Sequence, residues 1–186
     1  MYNLGTHAHH LLRFVTGLEV AEVAAEMKTH VPGRRVYDDA HALLRLSNGG
    51  RGSLWASSVA AGAEHGLQLQ VFGERGSLLW RHEEAHRLWL RPVDGPEEML
   101  SPGRAGLSDR AKEASRMGRG HAEGFFEAFA NLYSGIADAI EARQAGRELQ
   151  SAPQGFPTVH DGVMGVRFVE ATAMSHANNG AWTPAI

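Results

Sequence analysis

The segment NLGTHAHH, residues 3–10, places three histidines within four positions, directly after a glycine and a threonine. Imidazoles at this spacing could bind a metal ion, act as a general acid or base, or make unrelated contacts. Only residues three or four apart share one side of a helix, so His7 and His10 could bind one ion together, but His7, His9 and His10 cannot all face it. No Asp, Glu or His lies at a diagnostic spacing from this pair. The sequence therefore predicts no metal site here.

His7 is the candidate for a catalytic role. In a helix it lies one turn before Leu11, on the stripe expected to face inward, and a neutral imidazole beside a cleft is a suitable general base. The alternative is a histidine at the edge of the core that only satisfies polar contacts. His9 aligns with Arg13 on the more polar side, and we expect it at the surface.

The elements that would position these residues follow from hydrophobic periodicity. Residues 6–17 are predicted to form a helix that Asn3 or Thr6 caps and Gly17 ends, with Leu11, Phe14, Val15 and Leu18 as its apolar stripe. Strands are predicted at 20–31, 38–46, 53–61, 67–72, 77–81 and 86–91, and helices at 121–142 and from Asp161 to about His176. Residues 92–120 are expected to form a long loop. This order predicts an α+β fold: an open, largely antiparallel sheet of about six strands with helices packed on one face.

Composition narrows the function classes. The 186 residues include no cysteine, which excludes thiolate nucleophiles and cysteine-based metal centres. A net charge of −3 gives no indication of nucleic-acid binding. No stretch has the roughly 20 apolar residues of a membrane span, and the start lacks a signal-peptide pattern, so we expect a cytoplasmic protein. There is no GxSxG elbow and no P-loop, and GERGS at 73–77 is interpreted as a hairpin turn.

Five blocks of sequence, taken in order, resemble one family. They are NLGTHAHHLLRFVTG, DDAHALLRLSNGGRGSLWASSVAAG, LQLQVFGERGSLLW, GHAEGFFEAFANLY and DGVMGVRFVEATAMSHANNGAW. Together they resemble the C-terminal domain of the Gfo/Idh/MocA oxidoreductases, the relatives of glucose–fructose oxidoreductase and inositol dehydrogenase. The resemblance implies a dihydrodipicolinate reductase-like or glucose–fructose oxidoreductase-like C-terminal fold over residues 1–186, whose free sheet face makes a homo-oligomer, for example a dimer.

The resemblance also implies a two-part enzyme. In the family, an N-terminal Rossmann domain binds NAD or NADP, and the C-terminal domain shapes the site for a sugar or polyol whose secondary hydroxyl is oxidised. That Rossmann domain and its Glu-Lys-Pro motif are not found in this sequence. The family's Asp-x-x-x-His pair falls on Asn3 and His7, so an amide replaces the carboxylate. By the same resemblance His10, Arg119 and His121 are candidates for binding substrate.

Two main hypotheses follow for the chain. In the first, it is the substrate-binding and oligomerisation domain of an NAD(P)-dependent sugar or polyol dehydrogenase, inactive alone because hydride transfer needs the cofactor held against the substrate. In the second, it is a non-enzymatic carbohydrate-binding or dimerisation module, which the missing Asp at position 3 favours. A metal-dependent hydrolase or isomerase is a more distant alternative.

Overall fold

A computed structural model describes residues 3–147 and 156–186. The chain divides into two compact units, which we describe separately. Unit 1 comprises Met1–Glu64 and Thr158–Ile186, and unit 2 comprises His65–Pro157. Within the described ranges, none of the helices has the length and apolar character needed to cross a membrane.

The elements follow one another along the chain as helices, strands and one short 3-10 turn. They are α1 (Leu4–Thr16), β1 (Val20–Lys28), β2 (Asp39–Leu46), β3 (Arg51–Ser57), β4 (Gln68–Gly73), β5 (Gly76–Arg81), a 3-10 turn (His82–Glu84), β6 (Leu88–Pro92), β7 (Glu98–Leu100), α2 (Asp109–Ala114), α3 (Phe125–Gln144), α4 (Val159–Ala177) and β8 (Thr183–Pro184).

Unit 1 is built around a four-stranded antiparallel sheet in the order β3-β2-β1-β8. One face of this sheet is apolar because its strands alternate, with Ala40, Ala42 and Leu44 of β2 all buried. The helices α1 and α4 cover this face. The resulting core includes Val20, Val23, Ala25, Ala42, Leu44, Leu54, Ala56, Phe168, Val169, Ala171 and Ala185.

Unit 2 contains a second four-stranded antiparallel sheet, in the order β4-β5-β6-β7, together with α2 and α3. Its first hairpin turns at Gly73–Gly76, as the sequence GERG predicts. Gly76 has φ of 154°, and a Cβ there would lie 2.4 Å from the Arg91 carbonyl oxygen, so this turn requires glycine. In the described part of this unit, Leu79 is the one fully buried hydrophobic residue, and α3 has none.

The α+β class and the antiparallel pairing predicted from the sequence are confirmed. The structure refines the arrangement: within residues 3–147 and 156–186, eight strands form two sheets, where the pattern indicated one sheet of about six. Two elements, β7 and α2, lie inside the stretch 92–120 expected to be a loop, because a three-residue strand and a six-residue helix are too short to show a period. Helix α4 begins at Val159, and its N-cap is Thr158, with Asp161 in the first turn.

Candidate functional site

Helix α1 packs into unit 1 with a different side from the one predicted. Gly5 and His9 are buried, whereas Phe14 and Val15 of the expected inward stripe are exposed. Leu4, Ala8 and Leu12 pack, partly buried, against the core on this side of the helix. Gly165 of α4 lies next to Thr6, where a Cβ on the glycine would be in ordinary contact with the Thr6 methyl group at 3.8 Å. Gly17, with φ of 68°, ends the helix as predicted.

The prediction that His9 lies at the surface is wrong. Its side chain is 2% exposed and its ring stacks on Phe168 with centroids 4.4 Å apart and planes within 5°. Nδ1 is buried, and no group in the described residues accepts from it or donates to it. Burial, and next the nearby Arg13 guanidinium, lower the pKa of His9 from 6.5 to about 4. His9 is therefore neutral at pH 7 and anchors α1 in the core.

His7 and His10 do not share the buried side of α1 on which His9 contacts the core. His7 is exposed and His10 is half-buried, with its ring 6.5 Å from that of Phe14. The predicted inward position of His7 is therefore wrong, but its exposure leaves the imidazole accessible to a bound molecule. Being three residues apart, the two rings can reach one ligand.

Asn3 is the N-cap residue of α1, but its side chain makes no capping hydrogen bond. Its carbonyl oxygen instead accepts from the Thr6 hydroxyl at 2.7 Å and from the His7 amide at 3.4 Å. Within residues 3–147 and 156–186, no hydrogen bond joins the Asn3 side chain to the His7 ring. The pairing of these two residues remains a prediction.

A guanidinium fixes α1 against two other parts of unit 1. Arg13 donates from Nε and Nη2 to both carboxylate oxygens of Glu19, at 2.7 and 2.8 Å, and from Nη1 to Asp161 Oδ1 at 2.9 Å. Asp161 also accepts from the Thr158 amide and hydroxyl, which start α4. These bonds hold the pKa of Asp161 well below its usual range, the Thr158 amide contributing most. Arg13 thus fixes how α1 sits, and with it the direction of His7 and His10.

Arg119 and His121 belong to unit 2, in the segment between α2 and α3. Both are exposed, and His121 Nδ1 lies 3.1 Å from the Gly118 carbonyl oxygen. Asn3, His7 and His10 belong to unit 1, so the structure leaves the expected grouping of all five residues a prediction.

The outer face of the unit 1 sheet carries an apolar centre between charged groups. Trp55 is 61% exposed, stacks with His41 at 5.9 Å and donates from Nε1 to Asp39 at 2.9 Å. Leu43 is exposed beside it, and the three-strand surface forms an open depression of about 700 Å³. At one end Arg45 lies 4.0 Å above the Trp182 ring and pairs with a glutamate of β1.

One motif has the spacing of a zinc site. Residues 82–86, HEEAH, match HExxH, which needs an α-helix to bring its two histidines to one ion. Here His82–Glu84 form a single 3-10 turn, and the His82 ring stacks on His65 at 3.8 Å. Across the part of the chain that the structure describes, no three side chains of His, Asp or Glu are grouped to hold a metal ion.

Comparison with known proteins shows what the chain is similar to. Residues 1–79 match the family model described as the GFO/IDH/MocA C-terminal domain. The chain is 28% identical over 182 residues to the uncharacterized oxidoreductase YfiI of Bacillus subtilis (strain 168), covering 97% of this chain and 46% of YfiI. Residues 1–79 are thus similar to the GFO/IDH/MocA C-terminal domain, and the chain as a whole is similar to an oxidoreductase over about half of that protein's length.

Solved structures of oxidoreductases contain a region of the same fold. An oxidoreductase from Sinorhizobium meliloti is 41% identical, with a TM-score of 0.88, over 97% of this chain and 50% of that protein. An inositol dehydrogenase homolog from Azotobacter vinelandii, complexed with NAD+, is 32% identical with a TM-score of 0.92, over 98% of this chain and 47% of that one. The same homolog has also been solved with NADH and myo-inositol. The chain spans about half the length of each of these proteins.

Proposed function

We propose that this chain is the substrate-binding half of an NAD(P)-dependent dehydrogenase that oxidises a secondary hydroxyl of a sugar or polyol. The observation that carries the proposal is the construction of α1. His9 and Arg13 fix the helix inside unit 1, while His7 stays exposed and His10 half-buried. The homolog complexed with NADH and myo-inositol supports the substrate class and the cofactor.

In this proposal His7 is the general base. Its accessible imidazole takes the proton of the substrate hydroxyl while the carbon-bound hydrogen leaves as hydride. His10, on the same helix, holds a further hydroxyl by a hydrogen bond, and Arg119 and His121 are substrate-binding candidates by the family resemblance alone. Asn3 can orient the His7 ring through its amide, but it cannot stabilise an imidazolium as a carboxylate does. Replacing Asn3 with Asp therefore strengthens the base.

A nicotinamide cofactor, when bound, accepts the hydride. The residues of this chain do not fit the usual dinucleotide site, because that site needs a glycine-rich turn between a parallel strand and a helix. The sheets described here are antiparallel, and GERGS forms the turn between β4 and β5. We therefore infer that another polypeptide segment holds the cofactor, and we expect the chain alone to be inactive. Relatives twice as long as this chain support such a second half.

A joined protein tests this function directly. In it, this chain follows the half of the Sinorhizobium meliloti oxidoreductase that the match does not cover. We expect NADH formation from NAD+ and a panel of polyols by the joined protein and none by the chain alone. His7→Ala should lower kcat by about 10²- to 10⁴-fold, the usual contribution of a general base, while His86→Ala in unit 2 should not. Turnover by the chain alone, or equal loss in both variants, would contradict the proposal.

The proposal includes self-association through the outer face of the unit 1 sheet. An exposed Trp and Leu between charged groups, on antiparallel strands, suit pairing with a second copy of the same face. We expect Leu43→Lys to convert an oligomer into a monomer in sedimentation experiments, while Glu74→Lys, in the turn between β4 and β5, leaves it unchanged. Assembly that persists without dehydrogenase activity in the joined protein would favour the alternative of a non-enzymatic dimerisation module. Saturable sugar binding by the chain alone would favour a carbohydrate-binding module.

A further inference from the structure

Helix α3 in unit 2 has two sides of opposite character. Its large apolar side chains, alanines left aside, all lie within about a third of the helix circumference, given 100° per residue. They are Phe125, Phe126, Phe129, Leu132, Tyr133, Ile136 and Ile140. The carboxylates of Glu127, Asp138 and Glu141 lie on the opposite side, as do Asn131 and Ser134. We call the first set the apolar face of α3.

The rest of the described unit holds α3 by its polar side. Arg116 donates to Asn131 Oδ1 and Ser134 Oγ, both at 2.6 Å, and to the Ala130 carbonyl oxygen at 3.0 Å. The Asn131 amide in turn donates to the Ala114 carbonyl oxygen at 2.7 Å. These contacts orient the helix so that the apolar face points away from its own anchor.

The apolar face is uncovered. Phe126 is 82% exposed, Phe125 and Tyr133 are each 67% exposed, and Phe129 is 43% exposed. At 150–250 Å² for each aromatic side chain, these four rings alone expose roughly 400–650 Å². The largest apolar patch of a monomeric protein is about 300–600 Å², and such patches mark interaction sites.

We propose that the apolar face of α3 is the surface on which the cofactor-binding half of the full protein docks. The inference rests on the proposed function. It is supported by the relatives, each of which has about as much chain again beyond the matched region. A patch of this size fits an interface between domains of one chain, which buries about 600–1,500 Å², better than an obligate dimer interface of 2,000 Å² or more. A tethered neighbour also occupies such a surface at high effective concentration.

The charge distribution fits a protein partner. The face carries no carboxylate, so docking desolvates no anion, and the one charged group in line with it is Arg143 at the C-terminal end of the helix. A guanidinium there can pair with a rim carboxylate of the partner while its stem packs on apolar surface.

The test compares the chain alone with the joined protein. The variant Phe126→Ser/Tyr133→Ser removes apolar area from the face, and Asp138→Ser/Glu141→Ser makes the same kind of change on the opposite side. In the joined protein we expect amides of 125–144 to exchange at least about tenfold more slowly than in the chain alone. The apolar variant should abolish that protection and lower the Tm by several degrees, while the control variant does neither. In the chain alone, both variants should leave the Tm almost unchanged.

Three other results would overturn the proposal, and each has its own meaning. Protection already present in a dimeric chain alone means that a second copy covers the face, and protection in a monomeric chain alone means that unit 1 does. Equal exchange in both proteins means that nothing docks there. Should the joined protein fail to fold, the same exchange experiment is made with the cofactor-binding half added as a separate polypeptide.

The docking proposal and the proposed function fail separately. A joined protein that binds NADH and oxidises polyols but leaves 125–144 unprotected contradicts only the docking surface. Protection of 125–144 without any dehydrogenase activity contradicts only the proposed function. NADH binding is read from its fluorescence, and protection from peptide masses.

Discussion

Helices α1 and α3 are both amphipathic, yet they differ in how much of their surface the described chain buries. The inner side of α1 is buried and held by an aromatic stack and a guanidinium, whereas no residue of α3 is buried. The units that contain them differ in the same sense. Of the fully buried hydrophobic residues in the described ranges, only Leu79 belongs to unit 2. The difference teaches that unit 1 is stabilised by its own core, while the described part of unit 2 leaves much of its apolar surface exposed.

The largest expected effect is at the centre of the unit 1 core. Phe168 is fully buried, and its ring is the platform for His9. Phe168→Ala should lower the free energy of unfolding by about 3–5 kcal/mol, the cost of an unfilled aromatic cavity, measured by urea denaturation. Phe72→Ala, at an exposed position of the unit 2 sheet, is the matched control and should cost less than about 1 kcal/mol. Similar losses in both variants would remove the contrast between the units.

The second effect concerns how α1 is anchored. The Arg13 side chain is 9% exposed, and Arg13→Ala leaves the carboxylates of Glu19 and Asp161 without their common donor. The free energy of unfolding should fall by about 2–3 kcal/mol, since charged hydrogen bonds in a partly buried site are lost. Arg13→Lys should recover only part of this, because a single ammonium cannot make the paired contacts. Full recovery by Lys would show that the charge alone is enough.

The third effect is a pH dependence that arises from His9. Its folded pKa of about 4 lies below the unfolded value of 6.5, so the unfolded chain binds more protons between these values. Stability is therefore complete above pH 6.5 and falls as the pH is lowered towards 4, by about 2 kcal/mol at pH 5. The carboxylates with lowered pKa values, Glu19 and Asp161, lose their contribution only below about pH 4.5.

His9→Phe isolates this contribution. The substitution keeps an aromatic ring against Phe168 and removes the buried Nδ1, so it should flatten the stability curve between pH 5 and 6.5. Measurement of urea midpoints at several pH values checks this. A slope that survives in His9→Phe would assign the effect to another group, and His7→Phe, at an exposed position, should leave the slope unchanged.

The sequence predicted most of the fold because it has local signals for it. Alternation in β2, the GERG turn and Gly17 each depend on a few neighbouring residues, and all are confirmed. The side of α1 that faces inward could not be found this way. It is set by contacts with residues more than 150 positions away, above all by the stacking of the His9 imidazole on the Phe168 ring.

The contacts of the candidate site were likewise only partly predictable from local sequence. The family resemblance selects His7 and Asn3 by position alone, and the structure adds that His7 is accessible. The Arg13 network joins three segments separated along the chain, so no motif predicts it. The division into two sheets likewise depends on which strands pair, and strand periodicity does not specify this.

The smallest expected effect is at the anchor of α3. Arg116, like Arg13, donates three hydrogen bonds, but it is exposed, so Arg116→Ala should change the free energy of unfolding by only about 0.5–1 kcal/mol. The loss should be local: amides of 125–144 should exchange faster, while those of β1 and β2 keep their rates. Arg119→Ala, which removes a nearby guanidinium without these hydrogen bonds, is the control. Faster amide exchange in both units would show that α3 and the unit 1 core unfold together. The two units would then differ in the exposure of their apolar residues but not in stability.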